Sequence, residues 1–258
     1  APGRTFRHEQ FEEYKAHRKP APDELKSQLV RVRELIKAFH APSFEIPGYE
    51  ADDIIGTISK KASEQGIDTI IVTGDTDTLQ LVSPHVRVLT PKPGKPFSDT
   101  VIYDEAAVKQ RYELQPKQLA DFKGLKGDPS DNIPGVRGIG EKTAKKLIGQ
   151  YGSVENLLAH AAELKGKLKE TLEKNREQAE LSKRLATLIR NVPCDRDLES
   201  LKVQPWNEEK LKAILSEFEF ASIARRLFGD NFKAGLAPQP FYEQSALPGF
   251  SPAGEKST

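Results

Sequence analysis

The patterning of this chain changes character once, at Gly135, and that break sets what the chain can fold into. Before it, helix and strand periodicities alternate. "DELKSQLVRVRELIKAFHA" (23–41) carries Leu25, Leu29, Val32, Leu35, Ile36 and Phe39 at helical spacing and predicts an amphipathic helix. "EADDIIGTISKKASEQG" predicts another, with Ala51, Ile54, Ile55, Ile58 and Ala62 as its apolar stripe and Gly66 as its C-cap. "DTIIVTGDTD" is a β-branched run ending in Gly and Asp and reads as a buried parallel strand. "VRVLT" (86–90) and "DTVIYD" (99–104) read as two more strands, and "EAAVKQRYEL" and "PKQLADFKGL" as short helices. After Gly135 only helical segments follow: "EKTAKKLIGQYG", "SVENLLAHA", "LKETLEKNREQAELSKRLATLIR" and "NEEKLKAILSEFEFASIARRLFG". The expectation is an α/β core followed by an all-helical region. Residues 230–258 are rich in Pro, Gly and Ser without periodicity and read as a disordered linker.

Bulk composition excludes little. Lys+Arg (39) and Asp+Glu (38) nearly cancel, so any useful field must come from segregation of charge along the chain. The one cysteine, Cys194, rules out an intrachain disulfide and fits a reducing cytosol. No apolar run approaches the roughly 18 residues of a membrane span, and "APGRTFRHEQ" has no apolar stretch of a signal peptide.

The segregation lies first in acids. "GYEADDIIG" (48–56) crowds Glu50, Asp52 and Asp53 at a helix start. Acids complement a helix N-terminus, so this stretch alone does not decide between a helix start and a functional site. Asp75 and Asp77 lie just beyond the predicted parallel strand, where open α/β sheets bind ligands. A turn explains Gly-Asp, but the second Asp at i+2 lets two carboxylates face one point in extended backbone. "KGDPSDNIPG" adds Asp128 and Asp131 in what is otherwise a turn-rich loop. No Cys/His spacing accompanies these acids, so an all-oxygen site suits Mg²⁺ or Mn²⁺. On an ideal helix Glu50 and Asp53 lie about 60° apart and Asp52 about 160° from Glu50, which favours two ions, or one ion with ligands acting through water.

The basic counterpart follows directly. In "NIPGVRGIGEKTAKKLIGQYGS" (132–153), Gly135, Gly138 and Gly140 make a tight turn into a helix opened by Glu141, presenting backbone N–H groups to a phosphate. Lys142, Lys145 and Lys146 sit at the end of that helix where its dipole does not favour them. "PGVRGIGEKTAKKLI" matches a helix-hairpin-helix motif, which grips DNA phosphates without reading bases.

Taken together, "GYEADD", "TGDTDTLQL", "GDPSDNIPGV" and "GIGEKTAKKL" resemble, in order and spacing, the 5′-nuclease domains of bacterial DNA polymerases I, within the flap endonuclease family. The resemblance covers nearly all of residues 1–229. It implies a PIN-like α/β core with a parallel sheet and helical arch segment (1–131, the arch at 1–20), a helix-hairpin-helix subdomain (132–229) and a linker (230–258). It implies 5′→3′ exonuclease and 5′-flap endonuclease activity with two Mg²⁺ or Mn²⁺ held by Glu50, Asp52, Asp53, Asp75, Asp77, Asp128 and Asp131, directly or through water. "FRHEQFEEYKAHR" resembles the arch, with Lys15 approaching the scissile phosphate and Arg7 and Arg18 as basic partners. Gly135, Arg137, Gly138, Gly140, Lys142, Thr143, Lys145 and Lys146 match the DNA-gripping hairpin, with K⁺ as a further ion there. The implied partners are DNA with a 5′ flap or 5′ end, RNA-primed DNA included, and polymerase domains in cis. A monomeric, cytoplasmic protein of replication and repair is expected. One departure is plain: the family's opening strand and its second strand, each ending in an Asp ligand, have no counterpart here, so the expectation is an N-terminally truncated, inactive fragment of a nuclease.

Three other readings compete. A non-catalytic DNA clamp has no use for seven carboxylates near phosphate. An aspartyl-phosphate phosphatase built on D-x-D predicts no basic hairpin. A PIN-type ribonuclease lacks the helix-hairpin-helix.

Overall fold

The alternating half of the chain builds a small three-stranded sheet of β1 (Thr69–Val72), β2 (Val86–Pro91) and β3 (Thr100–Tyr103), in the order β1-β2-β3. In this computed structural model residues 3–229 are described, apart from 93, 97 and 195. The linker expected at 230–258 lies outside the described residues. The helices in chain order are α1 (Phe6–Gln10), α2 (Asp23–Ala38), α3 (Ala51–Glu64), α4 (Glu105–Tyr112), α5 (Leu119–Lys126), α6 (Glu141–Tyr151), α7 (Val154–Ala159), α8 (Gly166–Lys174), α9 (Arg176–Ala186), α10 (Glu208–Glu217) and α11 (Ala221–Phe228).

β1 and β2 run parallel, with Ile71 opposite Val88, whereas β3 returns antiparallel, with Val88 opposite Tyr103. Ile71, Val88 and Tyr103 therefore form one row, and all three are buried. The neighbouring row, Val72–Leu89–Ile102, faces the other way. There Val72 and Ile102 are exposed, as is Ile70 (50%). β1 is thus parallel as its sequence suggests but is not buried on both faces. A continuous apolar run identifies a strand without saying how many of its faces are covered.

The chain divides into two compact units, Ala1–Pro20 with Phe44–Lys202, and Ala21–Ser43 with Val203–Thr258. In the first, the sheet packs into a core shared with the helical region: Leu79, Leu81, Val108, Phe122, Leu125, Leu147, Ile148 and Leu157 belong to one buried cluster. The α5–α9 contact is made possible at Gly124, where a Cβ would come 2.8 Å from Lys183 Cβ. Asp121, on α5, is buried. It accepts from the Val154 amide at 2.8 Å and pairs with Lys183 at 2.6 Å, tying α5, α7 and α9 together.

In the second unit Ala38 and Leu35 of α2 pack with Leu211 and Ile214 of α10, and Phe39 meets Trp206 edge-on at 6.0 Å. Leu25, Leu29 and Val32 of the same helix are exposed, so only its C-terminal end is covered.

Two helical segments break where periodicity alone predicts continuity. "LKETLEKNREQAELSKRLATLIR" divides at Asn175, whose side-chain amide donates to Thr171 O at 2.7 Å and caps α8. "NEEKLKAILSEFEFASIARRLFG" divides after Phe218, where Glu219 takes φ +56° and cannot continue a right-handed helix.

Candidate functional site

The acid-bearing stretches come close together from three separate elements of the first unit. Glu50 is the N-cap of α3, and Asp52 and Asp53 lie in its first turn, so the dipole reading is correct for their local structure. Asp75 caps the 3₁₀ turn Thr76–Leu81 by accepting from the Asp77 amide at 2.9 Å. Asp75 is extended as its alternation suggests, but Asp77 lies inside the 3₁₀ turn, so the pair forms a cap and not a continuous extended run. Asp128 and Asp131 lie on a tight loop closed by paired Asp128–Ile133 backbone bonds, with Asn132 at φ +59°. Asp75, Asp77 and Asp128 line an open cavity of about 490 Å³ together with Arg18, Gln80 and Lys123.

Cationic side chains hold these carboxylates in two groups. Lys15 Nζ stands 2.9 Å from both oxygens of Glu50 and 3.4 Å from Asp131 Oδ2. Arg18 Nη2 is 2.6 Å from Asp131 Oδ1. On the other side Lys123 bridges Asp77 and Asp128, 2.6 Å from Asp128 Oδ2. Lys15 is held in place by its surroundings. Its side chain is 19% exposed, its amide donates to Asp131 O at 3.0 Å, and its φ of +55° is costly for a residue with a Cβ. Tyr14 beside it is buried and donates to Asp131 Oδ2 at 2.9 Å and Glu50 Oε2 at 3.2 Å.

Titration follows from this crowding. Burial, and then the charges of Asp75, Asp77 and Glu50, push Asp52 up to about 6. Burial drives Asp77 up to about 6 as well, even though Lys123 opposes it. For Asp128, burial is outweighed by Lys123 and the Ser130 hydrogen bonds, and it stays below the usual carboxylate range. Two acids thus share one ammonium, whose own pKa burial would lower but Asp77 and Asp128 raise. The Tyr14 phenol is pushed far up by burial and by Glu50 and Asp131, and stays a donor.

Asp53 and Arg7 stand apart from this cleft. Asp53 is fully buried, and Arg7, a basic partner near the scissile phosphate by resemblance, is 1% exposed and forks onto it at 2.7 and 2.8 Å. The reason is that α1 packs inward rather than standing in solvent: Thr5, Arg7 and Tyr14 are all buried.

The donor chemistry fits a hard divalent cation. All donors are oxygens, several lack a full counter-charge, and no Cys or His joins them. Among the described residues no three of the acids already surround one point as ligands, because ammonium and guanidinium groups lie between them.

The turn into α6 is built by alternation. Val136 and Ile139 are buried anchors, while Arg137, Gly138 and Gly140 between and after them are exposed. Gly135 lies beneath, at φ +62°, with its N–H donated to Ser182 Oγ at 3.1 Å. A side chain on Gly135 would overlap the backbone of Gly127. Its role is therefore to shape the turn, not to present its own amide. Lys142 and Lys146 are exposed, Thr143 is half-buried, and Lys145 is engaged by Glu141 at 3.1 Å and Glu113 at 3.4 Å.

The sequence pattern singles out neither Tyr14 nor Lys123. The available signal was position: Tyr14 precedes Lys15, and Lys123 precedes Asp128 by about one helical turn and a loop.

Comparison with known proteins gives the family of the chain. Residues 1–113 match the family model described as 5′-3′ exonuclease, N-terminal resolvase-like domain, and residues 114–209 the one described as 5′-3′ exonuclease, C-terminal SAM fold. DNA polymerase I of Bacillus caldotenax is 48% identical over 224 residues, covering 86% of this chain and 25% of that protein. DNA polymerase I of Bacillus subtilis is 43% identical over 231 residues, covering 89% and 26%. The chain thus spans about a quarter of the length of these relatives. Among solved structures, the bacteriophage T5 D15 flap endonuclease in a pseudo-enzyme-product complex with DNA and metal ions aligns with TM-score 0.61 at 24% identity, over 84% of this chain and 81% of that one. The catalytic core of Rad2 in complex with DNA substrate aligns with TM-score 0.53 at 16% identity, over 86% and 74%. At those identities the structural likeness concerns the fold. The two family models, in sequence over 1–209, carry the conclusion: the chain belongs to the 5′-3′ exonuclease family.

Proposed function

We propose that this chain, completed by the two Asp-bearing strands that the resemblance implies, hydrolyses DNA phosphodiesters at a 5′ end or 5′ flap, RNA-primed strands included, using divalent cations held by Glu50, Asp52, Asp75, Asp77, Asp128 and Asp131. The observation that carries the reading is the enforced proximity of acids, with Asp52 pushed up to about 6 by burial and by Asp75, Asp77 and Glu50. Such mutual repulsion costs stability and is a mark of functional sites.

The two cation-bridged groups, Glu50 with Asp131 and Asp77 with Asp128, support two ions, with Mg²⁺ or Mn²⁺ favoured by the oxygen donors. Bound there, divalent ions would lower the pKa of a water and offset charge gathering on the phosphate. The chain's own groups do the rest. Lys15 and Arg18, at the rim beside Glu50 and Asp131, can turn to a phosphate oxygen when another cation takes those carboxylates. Tyr14 keeps Glu50 and Asp131 together. Arg137, Gly138, Gly140, Lys142, Thr143 and Lys146 offer a sequence-independent grip on the phosphate backbone, with Lys145 partly neutralised. K⁺ at this turn rests on family resemblance alone, and Gly135 O is already bonded to Gln178. Polymerase domains in cis, a monomeric state and a cytoplasmic place in replication and repair belong to the same proposal. No helix among the described residues is long and apolar enough to cross a membrane.

The test is release of a labelled 5′ flap by the chain joined to those two strands. Cleavage is expected with Mg²⁺ or Mn²⁺ and not with EDTA. Asp75→Ala and Asp128→Ala should each abolish it while leaving flap binding in Ca²⁺ largely intact. Cleavage by both variants at the parent's rate would remove the site assignment. Tight flap binding with no cation-dependent cleavage would leave the protein a clamp.

A further inference from the structure

Asp53 belongs by sequence to the acid cluster, but its surroundings differ from those of every other member. Its side chain is fully buried and both its oxygens are fully used. Oδ1 accepts from Arg7 Nη2 at 2.8 Å and from the Ile189 amide at 2.8 Å. Oδ2 accepts from Arg7 Nη1 at 2.7 Å and from the Glu50 amide at 3.1 Å. Four donors match the roughly four lone-pair sites of a carboxylate, so none is left for a further partner. Arg7 is committed to the same degree: its Nε donates to Leu185 O and its Nη2 to Thr187 O, each at 2.9 Å.

We infer that Asp53 is not a cation ligand, and that Arg7 and Asp53 form a positioning pair that aims Glu50 into the cation site. The path is short. Asp53 Oδ2 fixes the backbone N–H of Glu50, the N-cap residue of α3, and Arg7 Nη1 lies 3.7 Å from Glu50 Oε2. The same pair ties α1, the start of α3 and the segment after α9 to one another, so the base of the arch and the first acidic element share one anchor. A bidentate guanidinium–carboxylate pair is the arrangement that fixes geometry most firmly, and partners one step removed from a metal commonly set its affinity. The inference rests on the cation site proposed above, and it removes both Arg7 and Asp53 from direct contact with phosphate and metal.

The two roles predict opposite results for one variant. Arg7→Met frees the Asp53 carboxylate. If Asp53 were a ligand, Mn²⁺ would bind as well or better. If the pair positions Glu50, Mn²⁺ binding must weaken although a cation, which cannot itself ligate metal, was removed. Free Mn²⁺ is followed by electron paramagnetic resonance, at temperatures where circular dichroism shows each variant folded. The expected result is a dissociation constant raised about tenfold by Arg7→Met and by Asp53→Asn alike, and raised no further in the double variant. Leu172→Ala, which opens the buried core at α8, serves as the control: it should lower the melting temperature without moving the dissociation constant. Should the variants fail to fold, the parent answers by itself. The Arg7 guanidinium protons should stay protected from exchange at saturating Mg²⁺, and loss of that protection would overturn the inference. So would an unchanged or tighter Mn²⁺ affinity in Arg7→Met, or unchanged affinity in both variants. A parent that binds no Mn²⁺ removes the proposed site and this inference together, whereas a parent that binds while Arg7→Met binds equally removes the inference alone.

Discussion

Lys123 holds Asp77 and Asp128 together, its ammonium bonded to both carboxylates and 2.6 Å from Asp128 Oδ2. A single positive charge thus stands between two elements, the turn after β1 and the loop after α5. Lys123→Gln should leave the two acids repelling one another. The metal-free protein is expected to lose about 1–3 kcal/mol, and added Mg²⁺ should raise its melting temperature by more than it raises the parent's. Thermal unfolding with EDTA and with Mg²⁺ measures both. Equal Mg²⁺ shifts would mean that Lys123 and the cation do not share this place.

Asp52 should trade stability for function. Its folded-state pKa is raised from 3.8 to about 6, so the folded protein holds that proton more tightly than the unfolded chain does. The sign follows: the penalty is absent below about pH 4, grows between 4 and 6, and is complete above 6. Asp52→Asn should therefore stabilise the metal-free protein at pH 7.5 by about 1–2 kcal/mol, after allowance for solvent screening. It should give no gain at pH 4, and should weaken Mn²⁺ binding. Melting temperatures across pH in EDTA test it, and a gain that does not change between pH 4 and 7.5 would contradict the assignment.

The three lysines of α6 should not be equal. Lys142 and Lys146 are exposed, while Lys145 is occupied by Glu141 and Glu113. Alanine at 142 or 146 should flatten the slope of log K against log salt for DNA binding by about 0.9 each if each neutralises one phosphate, and alanine at 145 by less. Fluorescence anisotropy over a salt series checks this ranking.

Gly135 and Gly138 should also differ, although both have positive φ. Alanine at 138 meets open space and should cost about 1 kcal/mol of backbone strain. Alanine at 135 would collide with the Gly127 backbone and should cost about 3 kcal/mol or more. Urea unfolding of the two variants separates strain from collision.

Much of this was legible in the sequence because it depends on local pattern. The stretch 69–72 was readable as a strand, α3 as a helix with acids at its start, and the Gly135–Gly140 turn as an entry to α6. The acids could be nominated together, since each sits where a strand end, a helix start or a turn puts it. What pattern could not give was partnership over long separations. Arg7 and Asp53, 46 positions apart in sequence, form a buried fork, and Arg7 reads as an arch residue until α1 is seen to pack inward. Lys15 in left-handed backbone, and Lys123 between two acids, are likewise products of tertiary packing. The open face of β1 was missed for a related reason: Ile70 and Val72 are apolar, but burial depends on what covers a face, which a four-residue run does not encode.

The most direct test of the central claim is an anomalous-scattering map from crystals soaked in Mn²⁺. The account predicts manganese peaks among Glu50, Asp52, Asp75, Asp77, Asp128 and Asp131, with the Lys123 ammonium displaced from at least one carboxylate and the Arg7–Asp53 fork unmoved. No peak in that cleft at saturating Mn²⁺, or a peak bonded to Asp53 with the fork broken, would contradict it.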